Sequence, residues 1–330
     1  MPDTRTESRA AAGRNARTLI LSTVKQNVSL TAVDAETGEI AHTVEVGTIG
    51  TGKPHEIALS VDGGRAFVSL YGSADYGPNV PDNRIAVVDL AEMRLAGHID
   101  LDLYKGPHAL VTGADGKLWA TVDPNRCVLV IDPDSWQIER TVWLQVPGHF
   151  FAPSPDGNTL YVSAKEYPLI AEIDMAGRKV AATIEVPVGA QGIRVSTDGN
   201  WLYAGDFHRP LLHLIDCSAR RVVDTVPLAG VPGWPFVSPD GQYVVVTTYD
   251  EPADRGFAEI LDTADLRRRR AVELPAEPFH VLFSEDATHF HIALADGAVP
   301  RISLAEAAIV AGGFDVGGTM PEALVRYVAG

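Results

Sequence analysis

Cysteine is scarce in this chain and basic residues are outnumbered. Only Cys127 and Cys217 occur in 330 residues, with no CxxC pair and no even-numbered framework, which excludes a disulfide-stapled scaffold and a thiolate zinc site. Lys and Arg total 27 against 43 Asp and Glu, a formal net charge of −16, so nucleic acid and anionic membrane are repelled at long range. A neutral or cationic small molecule is the expected partner, and nothing in the chain fixes an oligomeric state. The one basic run, Arg267 to Arg270, follows an Asp-rich turn and reads as a solvated hairpin tip. No stretch of 18 apolar residues occurs, and residues 1–17 are polar and rich in Arg and Ala, without the apolar segment of a secretory signal. These features predict a soluble, cytoplasmic protein with a tail over residues 1–17 and one domain over residues 18–330. Also absent are GxSxG, GxxxxGK[ST], HExxH, CxxCH and a dinucleotide-binding glycine fingerprint, which removes the common nucleophile-elbow, phosphate-loop, zincin, haem and nicotinamide chemistries. Asp132-Pro133-Asp134 lacks the EF-hand ligand pattern and reads as a β-turn.

What the chain does contain is repetition. One unit recurs at 40 to 50 residue spacing, marked by the turns Ser60-Val61-Asp62-Gly63, Gly113-Ala114-Asp115-Gly116, Ser154-Pro155-Asp156-Gly157, Ser196-Thr197-Asp198-Gly199, Ser238-Pro239-Asp240-Gly241 and Ser284-Glu285-Asp286-Ala287. Asp-Gly at these places suits a tight hairpin with residues at positive φ. A short apolar strand precedes each turn and an alternating one follows, as in Thr159-Leu160-Tyr161-Val162-Ser163. A third strand ends in Asp at Asp89, Asp132, Asp174, Asp216 and Asp262, and a fourth follows it. Four antiparallel strands per unit make a propeller blade. Six internal units, plus a seventh assembled from residues 319–328 and 18–46, predict an all-β, seven-bladed β-propeller closed by pairing its N- and C-terminal strands, which leaves no open sheet edge.

The Ser154 to Ser163 pattern resembles the YVTN-type repeat of lactonase-like and cytochrome d1-like propellers, over roughly residues 18 to 330. The resemblance implies the fold. It implies little about chemistry, because such propellers include lyases, lactonases, electron-transfer partners and adhesion modules.

Chemistry is expected where first strands begin, at the mouth of the central channel. Seven residues before each turn Asp lie His55, His108, His149, Gln191, Gly233 and Phe279, with Glu322 in the matching place of the terminal unit. Three His in seven such positions would arise by chance about one time in a thousand, although duplication of blades breaks the independence of the positions. Two readings follow. The imidazoles either line a wet channel and bond neighbouring carbonyls, or, with Glu322 or His280 as a fourth ligand, hold one divalent metal ion, Fe or Cu favoured over Zn.

Other candidates sit at the same strand ends. Tyr71 and Tyr249 open two long connections, residues 71–83 and 249–256, of the kind that cover substrates. Lys165 and Asp206 are candidate acid, base or anchor groups, although Lys165-Glu166 also reads as a surface ion pair and Asp206-Phe207-His208 as a hydrogen-bonded loop. Gln191, Trp234 and Phe279 are the expected pocket wall. Together these predict a metal-dependent enzyme acting on a small organic molecule at the channel mouth. With Fe or Cu it would be oxidative and loosely similar to carotenoid-cleaving propellers; with Zn or Mg it would be a lyase or isomerase similar to the virginiamycin lyase type. The competing expectation is a non-catalytic propeller that holds a protein or peptide partner.

Overall fold

Alternating apolar residues in short strands can bury both faces only if sheets stack on sheets, and the chain achieves this as a ring. A computed structural model describes residues 17–73 and 80–329, and in it seven four-stranded antiparallel sheets surround a central channel. Blades one to six begin with the inner strands Lys53–Leu59, Pro107–Thr112, Phe151–Pro153, Ala190–Val195, Val231–Val237 and Pro278–Phe283. Blade seven takes its inner strand, Leu324–Ala329, from the C-terminus and its next three, Arg17–Val24, Ser29–Asp34 and Ile40–Glu45, from the N-terminus. The closing register runs from Arg17 opposite Ala329 to Ser22 opposite Leu324, so Arg17 already belongs to the propeller. Residues 1–16 of the expected tail and residues 74–79 of the first long connection lie outside the described residues.

Cohesion comes from the faces between blades. Phe67, Ile85 and Val87 of blade one pack on Leu118, Ala120 and Leu129 of blade two, all fully buried. The closing interface does the same with Leu19, Leu21 and Leu30 against Val68, Leu70 and Ala86. Each such side chain removes from water an area that stabilises by roughly 1.5–3 kcal/mol.

Two expectations about turns need correction. In the Asp-Gly turns only the second residue has positive φ (Gly63 70°, Gly157 70°, Gly199 77°, Gly241 71°). The Asp instead serves as an acceptor: Ser60 Oγ and Gly64 N–H donate to Asp62 Oδ1 at 2.5 and 3.0 Å, a pattern repeated at Asp156, Asp198, Asp240 and Asp286. The basic run is not a hairpin tip either. It lies along the outer strand Asp265–Leu274, where Arg267 pairs with Asp224 of the neighbouring blade (2.7 Å) and Arg269 with Glu259 (3.1 Å).

Candidate functional site

The inner strands share a local irregularity that aims the site. Pairing with the second strand slips between Pro54 and Ile57, Pro107 and Leu110, Ala190 and Ile193, Pro232 and Pro235, and Pro278 and Val281. Each slip is a bulge containing one of the column positions, and a bulge re-aims the side chains it carries. All seven column residues, His55, His108, His149, Gln191, Gly233, Phe279 and Glu322, line one cavity of about 1040 Å³ at the channel mouth.

Hydroxyl groups hold this ring in place. Within a blade, a Ser or Thr on the second strand accepts the N–H that follows the column residue: Glu56 N–H to Ser69 (2.9 Å), Ala109 N–H to Thr121 (2.9 Å) and Phe150 N–H to Ser163 (3.1 Å). The same hydroxyl then donates to the column carbonyl of the next blade. Thr23 donates to His55 O (3.1 Å), Ser69 to His108 O (2.7 Å), Thr121 to His149 O (3.1 Å) and Ser163 to Gln191 O (3.5 Å). The relay spans the arc that carries the imidazoles and ends where Gly205 replaces the hydroxyl in blade four. Sequence reasoning missed it because each hydroxyl has one partner in another blade.

Two residues beyond the relay position lies a second column: Lys25, Tyr71, Asp123, Lys165, Phe207, Tyr249 and Ala295. All of these except Ala295 line the same cavity. Strand periodicity explains both this tier and the fate of Asp206. Asp206, one residue earlier on its strand, faces the other way and is fully buried; it accepts from Arg209 (2.6 Å), His213 (3.1 Å) and the N–H groups of His208 and Arg209. It therefore serves the loop reading rather than the cavity. Lys25 is the member that inspection of the sequence overlooked, although this second column would have found it.

The imidazoles meet closely. Ring centroids are 4.0 Å apart for His55 and His108 and 4.2 Å for His108 and His149, tilted by 45° and 50°. Tyr71 stands edge-on to His108 at 5.0 Å. Burial holds all three rings in the neutral form, with His55 and His108 far below the usual imidazole range and His149 pushed down to about 3. Each has a buried Nδ1 without a hydrogen-bond partner, and Glu322 has one such oxygen, Oε2, 3.9 Å from His55 Nε2. The other Glu322 oxygen is taken by Lys25. His280 does not join this group: as the second bulge residue it lies off the cavity wall and packs on Phe236 at 4.7 Å, a ring that also carries Arg194.

Whether a metal fits has two sides. Neutral imidazoles with unused nitrogens beside a carboxylate are suitable donors. Their arrangement is less suitable, because the rings stack on one another, and among the described residues no three His, Cys, Asp or Glu side chains surround a common point.

The acid-base groups lie beside the arc. Burial pushes Asp123 up to about 8 and lowers Lys165, whose ammonium sits 4.8 Å over the Phe207 ring; the two charges favour each other. Lys165 and Glu166 form no direct ion pair among the described residues. Tyr71 is raised to about 12, mainly by burial, and remains a phenol. Tyr249 lines the cavity but donates its hydroxyl to Asp254 at 2.5 Å. Trp234 lines the cavity with Phe279 (6.3 Å) and also packs on Phe150 (6.2 Å), which does not line it, and Gln191 lines the cavity with its Oε1 unpartnered.

No protein-family model matches the chain, and no curated protein matches it. Among solved structures it is similar to the periplasmic gluconolactonase PpgL of Pseudomonas aeruginosa, at 16% identity and a TM-score of 0.72, covering 96% of this chain and 100% of that one. It is also similar to the hydrazine synthase of Kuenenia stuttgartiensis, at 20% identity and a TM-score of 0.65, covering 77% of each chain. At these identities the likeness speaks to architecture alone, and the architecture is a seven-bladed β-propeller.

Proposed function

We propose that this propeller is an enzyme acting on a small organic molecule at the channel mouth, with a metal-dependent centre on the imidazole arc. One observation carries the reading: three desolvated, neutral imidazoles from successive blades meet at one cavity wall, with Glu322 Oε2 3.9 Å from His55 Nε2. His55, His108 and His149 would supply the nitrogen donors only after their rings turn out of the stack to face a common point, with Glu322 nearby and fixed by Lys25. Fe or Cu bound there would supply redox chemistry, and Zn a Lewis acid.

The chain's own groups account for the remaining chemistry. Burial raises Asp123 to about 8, so near pH 7 it is mostly the neutral acid and can release a proton, while burial lowers Lys165 from the usual ammonium range. Tyr71, protonated throughout that range, can donate a hydrogen bond to a substrate oxygen. Trp234 and Phe279 exclude water from the facing wall.

The stacking of the rings and the Lys25–Glu322 pair favour a second, metal-free reading, in which the same cavity performs hydrolysis of the kind named for the gluconolactonase. Elemental analysis of protein purified without an affinity tag separates the readings. About one Fe, Cu or Zn per chain in the wild type, lost in His108→Gln with unfolding unchanged, is expected. A metal-free wild type that still turns over lactones would leave the hydrolase, and a metal-free chain with no turnover would leave a binding scaffold.

A further inference from the structure

Resting on the channel-mouth reading, we infer that the substrate is an organic cation, an amine or quaternary ammonium compound, held by its charged end at the outer cavity wall. The two walls differ in kind. Blades five and six contribute Trp234, Tyr249 and Phe279, while blade four adds Phe207, so aromatic faces dominate the side opposite the imidazoles. Aromatic faces attract cations through their quadrupole, and Trp does so most strongly. Phe207 already illustrates this, for the Lys165 ammonium lies 4.8 Å from its centroid.

Charge points the same way. The cavity lining also carries Asp250 and Glu251; Asp250 stands opposite Arg255 in the strand pairing, but Arg255 makes its ion pair with Glu273, and neither acid is in an ion pair within 4 Å among the described residues. Deeper in the cavity Glu322, 6% exposed, keeps Oε2 without a partner at the wall. Of the two cavity lysines, Lys25 is committed to Glu322, and Lys165 lies over the Phe207 face with Asp123 and Glu166 favouring its charge, so acidic groups outnumber basic ones in the lining. An acidic, aromatic-walled cavity with a buried unsatisfied carboxylate oxygen is complementary to a cation with an apolar collar. The net charge of −16 draws such a ligand in.

Calorimetric titration of the full chain with three probes of one shape tests this: choline, its neutral isostere 3,3-dimethylbutan-1-ol and the anion 3,3-dimethylbutanoate. Choline should bind about tenfold tighter than the alcohol, with the carboxylate weakest, and rising salt should erode the preference. In the double variant Asp250→Asn, Glu251→Gln, whose changes lie on side chains without hydrogen bonds, choline affinity should fall at least threefold while the alcohol is unaffected. Equal binding of choline and alcohol, a preference for the anion, no binding of choline, or an unaltered double variant would each overturn the inference. Running each titration on chelator-treated and metal-loaded protein separates the two claims. Choline binding by protein that takes up no metal would defeat the metal centre alone, and metal-loaded protein indifferent to choline would defeat the cation alone.

Discussion

Thr121→Val is the sharpest probe of the hydroxyl relay. Valine matches threonine in shape, so the substitution opens no cavity at a side chain that is fully buried. It removes the acceptor of Ala109 N–H (2.9 Å) and the donor to His149 O (3.1 Å). A buried N–H left without a partner costs about 1–3 kcal/mol and the lost donor about 0.5–1.5 kcal/mol, so the loss should be about 2–4 kcal/mol. Thr121→Ser keeps both hydrogen bonds and deletes one methyl group, for a loss of about 1 kcal/mol. If burial of apolar surface alone set the order, Val would be neutral and Ser the worse. Urea unfolding followed by far-ultraviolet circular dichroism, at constant m-value, reads the difference as a midpoint shift. A Val variant as stable as Ser, or more so, would refute the relay as a source of stability. Because the lost donor holds the carbonyl of His149, the Val variant should also bind ligand more weakly than Ser does at equal fraction folded.

Further outcomes follow from the same geometry. Gly63 has φ 70° with open space around the site of a Cβ, so Gly63→Ala should lose about 0.5–1 kcal/mol from backbone strain alone; Ala287→Gly, at the equivalent turn with φ 52°, should gain a similar amount, both read by urea midpoint. His149, held near 3 in the fold against 6.5 unfolded, binds its proton more readily when unfolded; its contribution is therefore complete above pH 6.5 and is lost as pH falls toward 3, and His149→Gln should flatten the acid limb of a stability profile. Asp123 works in the opposite sense. Its carboxyl titrates at about 8 in the fold and 3.8 unfolded, so stability drains as pH rises between those values, and Asp123→Asn should remove that slope. Deleting residues 324–330 removes the inner strand of blade seven and bares the edge of Arg17–Val24, so light scattering should report more association than the full chain shows at the same concentration.

The fold was legible because its repeat is written in local chemistry: a Ser-x-Asp-Gly turn specifies a hairpin without reference to the rest of the chain. The column was legible for the same reason, since equal distance from equivalent turns implies an equivalent place. What escaped was whatever depends on partners in another blade or on a bulge. His280 lies one position past the column, and at a bulge that single step moves a side chain from the cavity wall to the layer beneath. Asp206 looked available at a strand end, but the Arg209 and His213 side chains take its Oδ2 and the N–H groups of His208 and Arg209 take its Oδ1. Lys25 was hidden by the split seventh blade, whose second strand comes first in the chain. Once both columns are aligned, the departures from repetition carry the functional content. Blades seven to three present Glu322 with Lys25, His55 with Tyr71, His108 with Asp123 and His149 with Lys165, whereas blade five presents Gly233 with Tyr249 and blade six Phe279 with Ala295. Stacking of seven similar blades would be satisfied by seven similar lips. Trp234 and Phe279 also pack the blade interfaces, so the aromatic arc serves cohesion as well as the cavity wall; the titratable arc of Lys25, Tyr71, Asp123 and Lys165 is what repetition alone does not require, and it is on this asymmetry that the proposed activity rests.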